Sequence, residues 1–290
     1  TSLVESALAV QLRWRKPCRV FVGSMTDLFH PTVPDEWLDR VFSVMAATPH
    51  ITYQVLTKRP ERMREYFEDV AQIPVDSERD FRVWDAWRAV YGETYGQQPW
   101  PLPNVWLGVT AENQAMADER IPALLDTPAA VRYVSYEPAL GAVKIKPFRP
   151  FKGGWFGPQN EGEWLNVVEC GHSPAKYGIN WLICGGESGP GARPMHPEWA
   201  RGLRDQCREA KVPFFFKQWG EWGDLPYRLM AEQCVAVTPD GQVHSPDAAA
   251  FNGESLPYGA AIRCRVGKKA AGRLLDGREW NEFPGVRHGG

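Results

Sequence analysis

Six times along this chain a short apolar run gives way to a polar turn and, in most cases, to an amphipathic stretch. That repeated pattern constrains the fold more than any single motif. The apolar runs are Arg19–Gly23, Ile51–Leu56, Val105–Val109, Val131–Val134, Trp181–Cys184 and Pro213–Phe216. Their length and β-branched or aromatic content read as strands. Helical patterns follow several of them. Pro34-Asp35-Glu36 opens one with acids where the helix dipole favours them, and Trp37, Leu38, Val41, Phe42 and Met45 form its apolar stripe. Others run over about 61–71, 114–125 and 197–210. Parallel strands need crossover connections of this kind. The expectation is an α/β chain, a partial (β/α) barrel of parallel strands with helical crossovers over residues 1–223. Elaborated loops interrupt it, and a C-terminal extension over 224–290 packs on it. An open doubly wound sheet is the alternative.

In parallel α/β architectures the C-terminal strand ends open onto one face, where ligands bind. Asp27, Lys58, Glu112, Glu137, Glu187 and Lys217 stand there in order, each where an apolar run leaves the core. A strand end meeting water turns polar for solvation alone. Six doing so predict a shared pocket whose acids and lysines shift one another's pKa values. The richest turn is Gly185-Gly186-Glu187-Ser188-Gly189-Pro190-Gly191-Ala192-Arg193. Its glycines permit positive φ and let N–H groups approach a ligand.

Composition sets bounds. With 290 residues and 43% hydrophobic content the chain can bury one large core or two smaller ones. A net charge of −2 advertises no global basic field for nucleic acid, although a local cleft can hide in a balanced total. The six cysteines, at 18, 170, 184, 207, 234 and 264, form no CxxC pair. They read as reduced thiols of a cytoplasmic protein. The histidines have no ligand spacing, and His30 reads as a capping or surface residue. No run approaches the roughly 18 apolar residues of a membrane span. No membrane partner is expected.

Between the units lie an aromatic and charged insert at about 76–100 (Trp84, Trp87, Tyr91, Tyr95, Trp100) and a Gly/Pro-rich loop at about 141–179. Leu3, Ala7, Val10 and Leu12 predict one face of an N-terminal helix. The chain opens in mid-pattern without Met, as the tail of something longer. Trp219, Trp222 and Phe214–Phe216 read as core packing. Pro60 and Pro138 read as strand stops. Near the end come strand-like pieces at Cys234–Val237 and Ala261–Arg263 and a basic helix at about 268–275, whose Lys268, Lys269 and Arg273 read as a solvated face.

Several of these stretches resemble one family. They are Phe21-Val22-Gly23-Ser24-Met25-Thr26-Asp27-Leu28-Phe29-His30, Gln54-Val55-Leu56-Thr57-Lys58-Arg59-Pro60, Tyr136-Glu137-Pro138 and Cys184-Gly185-Gly186-Glu187-Ser188-Gly189. Phe216-Lys217-Gln218-Trp219-Gly220 and Gly267-Lys268-Lys269-Ala270-Ala271-Gly272-Arg273 belong to the same set. Together they resemble the phage-associated, three-cysteine family long carried as a domain of unknown function, which is similar to a branch of the radical S-adenosylmethionine enzymes. The resemblance implies a partial barrel holding a four-iron four-sulfur cluster that cleaves S-adenosylmethionine. It places Ser24 and Asp27 near the methionine amino group, and Glu112, Glu137, Gly185, Gly186, Glu187 and Ser188 near ribose and adenine. Lys58, Glu137 and Lys217 are the catalytic candidates. The three closely spaced cysteines of that family precede the point where this chain begins, so no metal ligand is assigned here.

Two readings follow from different classes. The first is a radical S-adenosylmethionine-type enzyme modifying or repairing a nucleic-acid base, without its cluster segment in this chain. The second is a cluster-free barrel that binds a nucleotide, or a protein partner through its Trp-rich insert. A barrel hydrolase using Glu137 or Glu187 as acid and base stands behind both.

Overall fold

The structure, a computed structural model, describes residues 2–24, 26–72, 100–145, 178–224, 233–246 and 256–285. Among these, six strands form one parallel sheet: β1 (Cys18–Val22), β2 (Ile51–Thr57), β3 (Val105–Thr110), β4 (Val131–Tyr136), β5 (Trp181–Gly185) and β6 (Phe214–Gln218). Their spatial order is their sequence order, with Cys18 opposite Ile51, Tyr53 opposite Val105, Trp106 opposite Val131, Tyr133 opposite Trp181 and Leu182 opposite Phe214. A doubly wound sheet would reverse direction at a switch point. This one does not, and it curls into a half-barrel.

Helices α1 (Glu5–Gln11), α2 (Asp35–Ala46), α3 (Pro60–Gln72), α4 (Gln114–Asp126) and α5 (Pro197–Glu209) accompany the sheet. Local chemistry sets their starts. Asn113 accepts a hydrogen bond from the Met116 N–H at 3.0 Å to cap α4. Pro60 and Pro197 occupy opening positions, where a missing N–H costs nothing. Strand alternation then divides the side chains. Ile51, Tyr53, Val55, Val105, Leu107, Val109, Val134, Leu182, Phe214 and Phe216 join the helices in the main core. Phe67 stacks on Trp100 at 4.0 Å, so Trp100 is a core residue; the rest of the aromatic insert lies outside the described residues. On the opposite, inner face Trp106, Val131, Tyr133 and Trp181 form a second cluster with Leu56, Ile183, Phe215 and Phe283.

An antiparallel sheet ordered β7 (Trp222–Gly223), β10 (Ala261–Arg265), β8 (Cys234–Val237) and β9 (Val243–His244) draws its first strand from the end of the barrel unit and the others from the extension. The two strand-like pieces expected there are β8 and β10. Their register sets Cys234 opposite Cys264, and the pair is a disulfide. The reading of all six cysteines as reduced thiols is corrected at these two positions. Cys18, Cys184 and Cys207 are free, and Cys170 lies outside the described residues. The final helix, α6 (Lys268–Ala271), stops short of the expected residue 275, because Gly272 turns the chain at φ 71° and Leu275 is buried instead. In α1 the expected face is also corrected. Leu3 and Leu8 pack on the core, whereas Val10 and Leu12 are exposed.

The two lateral edges of the half-barrel differ. Along β6 the chain's own end adds an antiparallel bridge, Phe215 to Asn281, and the Phe216 N–H donates to the Trp280 carbonyl at 2.9 Å. Beyond β1 no strand pairs among the described residues.

Candidate functional site at the strand ends

The inner face continues past the last sheet hydrogen bonds into the turns. Counting by twos, Leu56 leads to Lys58, Trp106 to Glu112, Tyr133 to Glu137, Ile183 to Glu187 and Phe215 to Lys217. Period-two alternation therefore delivers these side chains to the inner side of one lip. Lys58 donates to Glu112 Oε1 at 2.6 Å, joining the ends of β2 and β3. Lys217 donates to Glu137 Oε2 at 2.9 Å, joining β6 to β4 across β5. Arg193 grips Glu187 with Nε and Nη2, both at 2.8 Å, and its backbone N–H adds a third bond at 2.8 Å.

The first two pairs share a vertical order. Glu112 and Glu137 are 9% and 19% exposed, whereas Lys58 and Lys217 are 55% and 50% exposed. Carboxylates form the floor and ammonium groups the rim. Burial raises the pKa of Glu112, but the hydrogen bond from Lys58 and the charges of Lys58 and Arg120 outweigh it and hold the carboxyl below its ordinary value. Arg120, on α4, reaches back to Glu112 Oε2 at 3.0 Å and to the Thr110 carbonyl at 2.8 Å. The Arg193 hydrogen bond likewise lowers Glu187. Arg193 also feels the Glu112 charge, which ties the β3 and β5 turns into one field.

Glycines make room where backbone and side chain converge. A Cβ on Gly185 would sit 3.1 Å from Glu137 Oε1, and one on Gly186 would collide with the Trp219 carbonyl. The Gly-rich turn is held from the extension side. The Gly189 N–H donates to Glu221 Oε1 at 3.1 Å, the Glu221 N–H donates to the Glu187 carbonyl at 2.9 Å, and Arg265 Nη2 donates to the Gly189 carbonyl at 3.0 Å. Gln218 Nε2 reaches Ser188 Oγ at 3.0 Å and Glu137 Oε1 at 3.3 Å.

Asp27 lies at the same lip with a different occupation. Its Oδ1 accepts from the Phe29 N–H at 3.0 Å and Thr57 Oγ1 at 2.7 Å, and its Oδ2 from the Lys58 N–H at 3.0 Å and Arg59 Nη1 at 2.7 Å. Those bonds fasten the β1 turn to the end of β2 and leave little capacity for a ligand. Ser24 beside it is exposed. His30 Nδ1 lies 2.8 Å from Thr32 Oγ1 in the turn before α2. These bonds pair Lys58 with Glu112, Lys217 with Glu137 and Glu187 with Arg193 along one lip, whereas the Asp27 carboxylate is spent on its own turn and the end of β2.

Sequence reasoning missed Arg120, Gln218, Glu221 and Arg265. The signal for Arg120 was present: an arginine on the buried stripe of α4, between Ala117 and Leu124, has to find a carboxylate. The other three depend on how the small sheet docks.

An iron–sulfur cluster requires closely spaced thiolates. Cys18 opens β1 at the opposite end of the sheet, Cys184 and Cys207 are buried, and burial pushes the Cys184 thiol well above its ordinary pKa. Among the described residues no three metal-ligating side chains gather. They do not fit the cluster. No helix among them is long and apolar enough to cross a membrane.

Fold and lip together define a class: a half-barrel of sequential β/α units with a charged, self-paired mouth at its C-terminal strand ends. The chain belongs to the family described as protein of unknown function (DUF5131), whose model matches residues 1–284. Neither a curated protein nor a solved structure matches it.

Proposed function

We propose that this chain forms the S-adenosylmethionine-binding mouth of a radical S-adenosylmethionine-type enzyme that acts on a nucleic-acid base. One observation carries the reading: two lysine–glutamate pairs on one lip, each with its carboxylate sunk and its ammonium half exposed. A zwitterionic amino-acid group suits such pairs. Its ammonium replaces the lysine on the buried carboxylate, and the displaced lysine meets its carboxylate, so no charge is left unpaired. Lys217 over Glu137 has the simpler exchange, because Lys58 shares Glu112 with Arg120. The remaining acceptors, Glu112 and the Gly185–Ser188 turn, suit ribose hydroxyls and an adenine edge. Asp27 holds the β1 turn in this reading and touches no ligand. Since the described residues do not fit an iron–sulfur cluster, the role assigned to this chain is binding and positioning.

Calorimetric titration with S-adenosylmethionine tests the reading. Saturable binding is expected, weakened about 10- to 100-fold by Glu137→Gln, the equivalent of a lost hydrogen bond to a charged group. Absence of binding, or binding indifferent to both Glu137→Gln and Glu112→Gln, refutes it. That the described residues gather no thiolate set favours a second reading, a cluster-free nucleotide-binding barrel. Binding of adenosine nucleotides without binding of S-adenosylmethionine would establish that one instead.

A further inference from the structure

The net charge of −2 conceals one strongly cationic surface. From Ser6 to Thr26 the chain contains no acidic residue, while Arg13, Arg15, Lys16 and Arg19 fall within seven positions. Every residue from Leu12 to Arg19 is exposed. Arg13, Arg15 and Lys16 make no ion pair among the described residues. Large flat side chains stand between and beyond these cations: Trp14 is 38% and Phe21 45% exposed. The loop is anchored, since His50 Nε2 lies 3.0 Å from the Trp14 carbonyl.

Position gives the patch meaning. It leads into β1, whose outer side no strand covers among the described residues. Arg19 and Phe21 share the inner-face phase of that strand, and the Arg19 guanidinium lies 4.0 Å over the Phe283 ring on the floor of the half-barrel. Phe21 is the next inner-face residue toward the mouth. From Arg19 to Gly23 the strand rises roughly 13 Å. Cations and aromatics thus run up the open side of the half-barrel and end at the lip that carries Lys58 and Glu112.

We propose that this open edge, from Arg13 to Phe21, is a docking track for single-stranded nucleic acid that leads a base to the mouth. The proposal rests on the reading of the mouth as a site acting on a base, and it narrows the substrate from a nucleotide to a polymer. A mononucleotide held at the lip cannot also touch Arg13, Arg15 and Lys16 at the far end of β1. A strand can, its phosphates meeting the cations and its bases stacking on Trp14 and Phe21. An acidic peptide would use the cations but has no need of the two flat faces, and an anionic membrane could take up Val4, Val10, Leu12 and Trp14 but not Arg19 and Phe21 on the inner face of β1.

The test is fluorescence anisotropy with a labelled oligothymidylate of roughly 12 nucleotides, measured across a salt series on the full chain. The comparison is between wild type and the triple variant Arg13→Glu, Arg15→Glu, Lys16→Glu. Each phosphate contact on a single strand contributes about −0.7 to the slope of log affinity against log salt, so the variant should lose about 2 from the slope. Its affinity should fall more than tenfold, while titration with S-adenosylmethionine stays as in wild type. Trp14→Ala should weaken oligonucleotide binding with the slope kept. An unchanged slope in the triple variant overturns the track, as does preference for poly-glutamate or anionic vesicles over the oligonucleotide. Oligonucleotide binding that follows the expected pattern, in a chain that does not bind S-adenosylmethionine, would support the track and remove the mouth reading instead.

Discussion

Replacing Asp27 separates a structural carboxylate from a ligand-binding one. The side chain is 16% exposed and accepts four hydrogen bonds, two from backbone N–H groups, one from the Thr57 hydroxyl and one from the Arg59 guanidinium. In Asp27→Ala the donors that reach water, the Lys58 N–H and the half-exposed Arg59, recover most of their solvation. The Phe29 N–H and the buried Thr57 hydroxyl do not. Two donors left wanting, plus the net worth of the two solvated bonds, give a loss of about 3–5 kcal/mol. Asp27→Asn can keep its carbonyl toward Phe29 and Thr57 but sets an amide N–H₂ against the donors of Lys58 and Arg59. About half the loss should remain. Urea unfolding reads both as a shift in midpoint at constant slope. The reasoning fails if Asp27→Ala changes stability by less than about 0.5 kcal/mol, the usual scatter of surface substitutions. It fails equally if Asp27→Asn leaves stability intact while abolishing S-adenosylmethionine binding, because Asp27 would then face the ligand.

A methyl group on Gly108 would enter the ring of Tyr133, which is fully buried. Gly108→Ala should cost about 1–3 kcal/mol, and adding Tyr133→Val should return part of it. Thermal unfolding of the single and double variants measures this, and a tolerated alanine would contradict the inner-face packing. His196 caps α5 as a neutral ring, with Nε2 donating to the Gly259 carbonyl at 3.0 Å and Nδ1 accepting from the Glu198 N–H at 3.1 Å. Burial lowers its pKa below the ordinary 6.5, against the opposing pull of the Gly259 bond. A histidine depressed in the folded state contributes its stability in full above that value and loses it as pH falls toward and through the folded pKa. Urea midpoints should therefore drop between neutral pH and about pH 5.5, less steeply in His196→Asn; equal slopes would remove His196 from the account.

How much of this the sequence carried depends on the range of the interaction. Period-two runs such as Trp181–Cys184 mark strands, and the residue that leaves each run in phase with its inner face, Lys58 or Glu112 for example, is legible as a mouth residue without coordinates. Partner choice is not. Lys217 takes Glu137, two strands away, because of the curl of the sheet and the register shift between Cys184 and Gly185. Neither has a local signature. The Cys234–Cys264 bond was hidden for a similar reason: thirty residues separate the pair, and only the antiparallel register of β8 and β10 brings them opposite. Trp100 read as part of an aromatic insert because composition does not distinguish a ring stacked on Phe67 from one facing water. Val10 and Leu12 fit a helical stripe on paper, but α2 meets Leu3 and Leu8.

The bridge that the chain's end lays along β6 bears on how copies of this molecule can meet. A parallel sheet with two bare flanks can recruit neighbours on both sides and grow into a fibre. Here the β6 flank is already bridged by Trp280–Glu282, so among the described residues the parallel sheet offers strand addition at β1 alone. A copy added there, β1 to β1, would cover the surface on which the nucleic-acid strand is proposed to lie.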